Sequence, residues 1–175
     1  MFSSQFSVRP VLAVALAASV FAPAAASAQE QPRTVATYND WSVFVRETGD
    51  DKICFAATEA SDKSPKSVNH GDIFFLIASW KSGAAKEQPS LMTGYSINAK
   101  PEPVLRVGSD KWDMYASENE AFIESGEEEQ RLVRAMKRGA DMRVSAVSKR
   151  GTATSYIISL RGVTAALDRV SRECQ

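Results

Sequence analysis

The chain carries two cysteines, Cys54 and Cys174, and no others. How strongly they constrain the fold depends on the compartment, and the first residues speak to that. Among residues 1–10 the only charge is Arg9. Val11 to Ala22 is a run of Val, Leu, Phe and Ala with one Ser, and Pro23 and Ala24-Ala25-Ala26-Ser27-Ala28 follow. A basic start, a short apolar middle and an Ala-x-Ala end are the parts of a secretory signal peptide. The apolar run has 12 residues, against the roughly 18–20 that a spanning helix requires. No cysteine near the cleavage site offers a point for lipid attachment. The expectation is a leader over residues 1–28, cleaved to leave Gln29 first, and a periplasmic, secreted or outer-surface location.

In an oxidising compartment an even pair of cysteines reads first as a disulfide. Closing a loop of about 120 residues would stabilise the fold by roughly 4–5 kcal/mol and tie the extreme C-terminus to an early strand. The rival reading is two free thiols, one of them reactive. It finds no Cys-x-x-Cys and only one histidine, His70, to activate a thiolate.

The remaining length of about 147 residues suits one domain. With Arg9 removed, 20 basic side chains face 21 acidic ones. That balance argues against a nucleic-acid partner, which favours a basic excess. The longest later apolar stretch, Ile73 to Trp80, is bounded by Asp72 and Lys81. It suits a buried strand, so no transmembrane segment is expected after cleavage.

Residues 29–37 read as a flexible lead-in to a domain over 38–175. Trp41, Val43 and Val45 share one face of a first strand. Ile53, Phe55 and Ala57 share one face of a second, with Cys54 on the other, and Gly49-Asp50-Asp51 between them reads as a hairpin turn. Residues 61–72 form a polar loop. Further short candidates lie at 73–80, 91–97, 104–107, 111–115, 121–124, 142–147 and 152–160. Ser125, three before Glu128, has the spacing of a capping box. Glu127–Glu129 open that segment and Arg131, Arg134, Lys137 and Arg138 close it, as a helix dipole prefers. A helix over 126–138 follows, stopped by Gly139. Val163, Ala166, Leu167 and Val170 mark a weaker second one. Nine short strands with one clear surface helix predict an all-β antiparallel β-sandwich, although strand count alone does not separate a sandwich from a closed barrel.

No residue set reaches the threshold for a catalytic, metal or cofactor site. Zinc needs three or four ligands, and one histidine with two oxidised cysteines does not supply them. A serine triad needs a positioned base; His70, in a polar loop beside Gly71, reads as a solvated histidine. Asp110, Asp113, Glu118 and Glu120 are dense enough to raise paired-carboxylate chemistry, with a solvated rim as the simpler reading. Trp41, Trp80 and Trp112 read as core before they read as a sugar platform. Arg138, Arg143, Lys149 and Arg150 are candidate surface-binding residues if they gather at one sheet end, where they would meet anionic glycans or lipid headgroups.

Trp41-Ser42-Val43, Ile53-Cys54-Phe55, Phe74-Phe75-Leu76-Ile77-Ala78-Ser79-Trp80, Gly94-Tyr95, Val107 to Tyr115, Asn119 to Ile123 and Gly151 to Tyr156 occur in that order. Together they resemble the invasion-associated locus B family of exported bacterial proteins. The resemblance implies an immunoglobulin-like β-sandwich in the cell envelope. It also links such proteins to host-cell entry, while the lack of a site together with the exported, bridged fold points to a non-enzymatic protein that binds a protein or glycan of the envelope or host surface. It brings no catalytic motif, cofactor or metal. An envelope-maintenance role unrelated to hosts is the alternative.

Overall fold

The computed structural model describes residues 30–175; the expected leader and its cleavage point lie outside the described residues. The chain opens with β1 (Arg33–Tyr38), β2 (Trp41–Thr48), β3 (Asp51–Glu59) and the short β4 (Asp62–Ser64). The middle holds β5 (Phe74–Trp80), β6 (Gln88–Met92), β7 (Val104–Val107) and β8 (Asp110–Asp113). A small hairpin, β9 (Tyr115–Ser117) and β10 (Glu120–Phe122), precedes α1 (Gly126–Met136). Then come β11 (Asp141–Val147), β12 (Ala153–Ser159) and α2 (Val163–Glu173).

The strands form two antiparallel sheets. One has seven strands in the order β1-β2-β3-β5-β6-β10-β9, and the other five in the order β4-β12-β11-β7-β8. Face to face they make the expected sandwich rather than a closed barrel. Trp41, Val43, Cys54, Phe75, Ile77 and Leu91 of the larger sheet share one core with Leu105, Met142, Val144, Tyr156 and Ile158 of the smaller. The indole N–H of Trp41 crosses between the sheets and donates to the Ser159 carbonyl at 3.0 Å.

Three strands escaped the sequence reading. Residues 33–37, expected as lead-in, belong to β1, which pairs with β2. Val35 and Ala36 pack on the core, a weak signal between Arg33, Thr34 and Thr37. β4 lies in the polar 61–72 loop and adds to the edge of β12 through Asp62, Lys63 and Ser64. β9 pairs with β10 and is too short to show a period.

α1 begins as its cap predicts: the Ser125 hydroxyl accepts from the Glu128 N–H at 3.3 Å. It buries Leu132, Val133 and Met136 and ends at Met136, two residues short of expectation. α2 is preceded by Gly162, whose φ is +96°. A Cβ there would sit 1.9 Å from the Tyr38 carbonyl oxygen, so no other residue fits this crossing. Val163, Ala166, Leu167 and Val170 are the buried face of α2. Cys174, at its end, is bonded to Cys54 of β3 across a sequence separation of 120 residues. No helix of the described residues is long and apolar enough to cross a membrane.

Replacing both cysteines by serine should lower stability to urea by about 2–5 kcal/mol. Amide exchange should show α2 losing protection before the sheets do. An unchanged urea midpoint would mean that the sulfur bridge holds nothing the core does not already hold.

Candidate binding surfaces

The four bases singled out from sequence do not form one patch. Lys149 and Arg150 occupy the turn between β11 and β12, and Arg138 follows α1 at the far end of β11. The seven residues of β11 put roughly 20 Å between the two groups. Arg143 stands on the exposed face of the smaller sheet, in register with Arg106, and donates to the Ser155 hydroxyl at 3.2 Å. The four carboxylates are divided as well: Asp110 and Asp113 lie on β8 of the smaller sheet, while Glu118 and Glu120 belong to the β9–β10 hairpin of the larger. Asp113 pairs with Lys111 at 2.7 Å.

Lys149 and Arg150 belong to a polar end of the sandwich. Lys149 lines a cleft of about 490 Å³ with Thr93, Tyr95, Glu118 and Asn119. Arg150 lines a cavity of about 40 Å³ with His70, Tyr95 and Thr154. Two glycines bring these loops together: a Cβ on Gly94 would lie 2.9 Å from the His70 carbonyl oxygen and 3.0 Å from the Gly71 Cα.

His70 is buried rather than solvated, at 7% exposure, and it stands at the head of a hydrogen-bonded chain. Its Nε2 meets the Pro65 carbonyl at 2.9 Å, and its Nδ1 meets the Tyr156 hydroxyl at 3.0 Å. Tyr156 donates to the Tyr95 hydroxyl at 2.8 Å. Tyr95 and Thr154 share a bond of 2.7 Å, and Thr154 donates to the Ala146 carbonyl at 3.1 Å. Both terminal carbonyls can only accept. Burial pushes the Tyr156 phenol well above its ordinary range, so it remains a hydroxyl throughout neutral pH. The sequence signals for this arrangement were two glycine neighbours, His70-Gly71 and Gly94-Tyr95; nothing in local periodicity links them.

The larger sheet presents a second surface, on the side away from the core. Its registers stack apolar groups across strands: Ile53 beside Trp80, Phe55 beside Ala78, Ala57 beside Leu76, and Phe74 beside Met92. Phe44 stacks on Phe55 with ring centroids 5.1 Å apart, and Tyr115 stacks on Phe122 at 5.5 Å. None of these side chains packs on the core. Both helices place their buried residues in the core instead. Among the described residues no helix covers this face. Of the three tryptophans, Trp41 and Trp112 are core and Trp80 lies here. The run Phe74–Trp80 looked like a strand buried on both sides because both its faces are apolar; one of them faces outward.

A family model described as "Invasion associated locus B (IalB) protein" matches residues 41–171. The chain belongs to the IalB family. Comparison with curated proteins and with solved structures gives no match. The IalB match takes in β2 to β12, the polar loop end and most of the outer face, and stops three residues short of Cys174. The bridge is compatible with the periplasm or secretion, where disulfides persist.

Tyr156→Phe should cost about 1–3 kcal/mol at neutral pH by leaving His70 Nδ1 and the Tyr95 hydroxyl without their shared partner. The phenol is harder to ionise when folded than when unfolded. The stability it gives is therefore present below the unfolded value of 10.0 and fades as pH rises beyond it. The gap between the wild type and Tyr156→Phe in urea titrations should narrow above pH 10; a gap that widens there would contradict the buried, protonated phenol.

Proposed function

We propose that the protein is an exported, non-enzymatic component of the bacterial cell envelope that binds a protein partner through the apolar outer face of its seven-stranded sheet. The outward rank of Phe44, Phe55, Leu76, Phe74 and Phe122 carries this reading. These side chains are half-buried, with Ser90 between Leu76 and Phe122; an apolar surface that faces outward is a mark of an interaction site, and its aromatic content matches the residue types that dominate binding energy. The leader-like residues 1–28, the oxidised cysteines and IalB membership support a periplasmic or outer-surface location. The family description associates its members with invasion; a role in host-cell entry rests on that description, and envelope maintenance would use the same surface. The polar loop end, with Lys149 and Arg150, is a secondary contact region for the glycans or anionic groups of the envelope.

A photo-crosslinking amino acid at Phe55 or Leu76, activated in living cells, should give discrete protein adducts. The same group at Ser145, on the exposed side of the smaller sheet, should give none. Adducts from Ser145 alone would move the binding surface to the other sheet. The recovered protein should begin at Gln29 by intact mass; a retained leader would overturn export with cleavage.

A further inference from the structure

We infer that the partner seated on the outer face is a second copy of this chain, packed sheet to sheet about a twofold axis that runs across the strands. The inference rests on the reading that this face binds a protein, and it names the protein.

The face is large enough for a weak interface. Apolar side chains extend from Phe44 on β2 to Tyr115 on β9, across β3, β5, β6 and β10. At about 4.8 Å per strand and 3.4 Å per residue this is a footprint of roughly 24 Å by 20 Å. That is about 480 Å² per partner, below the ~800 Å² of a standard stable interface and in the range of a weak one. A sheet face needs no groove or inserted helix to be covered, because a like face packs on it at about 10 Å with the strands near −30°.

The charges choose between the possible twofolds. Arg46 marks one end of the face, in register with Ile53. Glu59 and Glu120 mark the other end, in register with Phe74 and Met92. An axis across the strands superposes opposite ends, so the base of each copy meets the acids of the other. An axis along the strands lays like end on like end. Arg46 is half-buried, and its Nε lies inside the chain without a hydrogen-bond partner among the described residues. Glu59 holds Lys63 through Oε1 at 2.8 Å, and Glu120 makes no ion pair among the described residues. A carboxylate from the second copy would pair with the outer end of the Arg46 guanidinium, which makes no ion pair among the described residues. An anionic bilayer, the other apolar occupant an envelope offers, would be repelled by the acidic end.

Light scattering on the native oxidised protein at tens of micromolar should give twice the monomer mass. Leu76→Lys should weaken association at least tenfold, as should Arg46→Glu, which stands at the rim and leaves the core intact. Adding Glu59→Arg to Arg46→Glu should restore association. A monomeric native protein would overturn the inference, as would a dimer that survives both single changes. Recovery of the native protein on vesicles containing phosphatidylglycerol, lost in Leu76→Lys, would overturn it in favour of lipid. The crosslinking above separates the two readings. Adducts of Phe55 with a different protein, from a monomeric chain, remove the second copy and leave the binding face. No adduct from either outer-face position removes both.

Discussion

Five strands cannot cover seven, and the architecture follows from that mismatch. The smaller sheet meets β2 and β3 only in part, through contacts such as Trp41 with Ser159 of β12, so the rest of the inner side of β1 to β3 needs another cover. α2 fills the gap: its contacts run to β3, β2, β1 and β5, and its apolar stripe joins the common core. α1 does the same work nearer β6, β7 and β8. The two helices are the remainder of a layer that the smaller sheet is too narrow to complete. The devices that place α2, the Gly162 crossing under Tyr38 and the link from Cys174 to Cys54, are correspondingly specific.

Where local chemistry decides an element, it was legible in the sequence. The β2–β3 hairpin showed its alternation and its Gly-Asp-Asp turn, α1 showed its cap and its charge gradient, and the only two cysteines had only each other. What stayed hidden depends on position in the sheet. β1 and β4 are edge strands held by pairing to β2 and β12, and edge strands need little apolar patterning of their own. His70 sits in a segment rich in Ser, Lys and Asn; it is buried because Gly71 and Gly94 let two loops touch, a contact between residues 23 positions apart. The outer face was hidden for a different reason. A strand with two apolar faces reads the same whether its second face meets the protein's own core or another molecule.

The two candidate surfaces differ in chemistry. The loop end is polar and internally satisfied: Lys149 donates its backbone N–H to the Ser96 carbonyl, Asn98 donates to Val147, and the His70–Tyr156–Tyr95–Thr154 chain runs beneath. Its backbone is held and its cleft is open, conditions that suit a small polar group better than tight association. The outer face is apolar, broad and shallow, and its energy would come from area. A protein using both would be held by its sheet and would read its surroundings with its loops.

The sulfur bridge acts on the outer face as well as on the core. Side chains alternate along a strand, so a slip of one residue exchanges its two faces. In β3 the order is Ile53, Cys54, Phe55, Ala56, Ala57, with Cys54 and Ala56 inward and Ile53, Phe55 and Ala57 outward. Both sets are apolar enough to be buried, and hydrophobicity alone gives this strand a weak preference for which set faces the core. A covalent bond from Cys54 to the end of a helix on the inner side removes the ambiguity. With Cys54 fixed inward, Phe55 must stand beside Phe44 on the outside. Pairing with β2 and β5 then carries the same choice to Phe44, Leu76, Ala78 and Trp80. Arg46, Glu59, Ser90 and Glu120 on the outer side already disfavour the reversed arrangement, and the bridge adds to that preference by holding Cys54 inward.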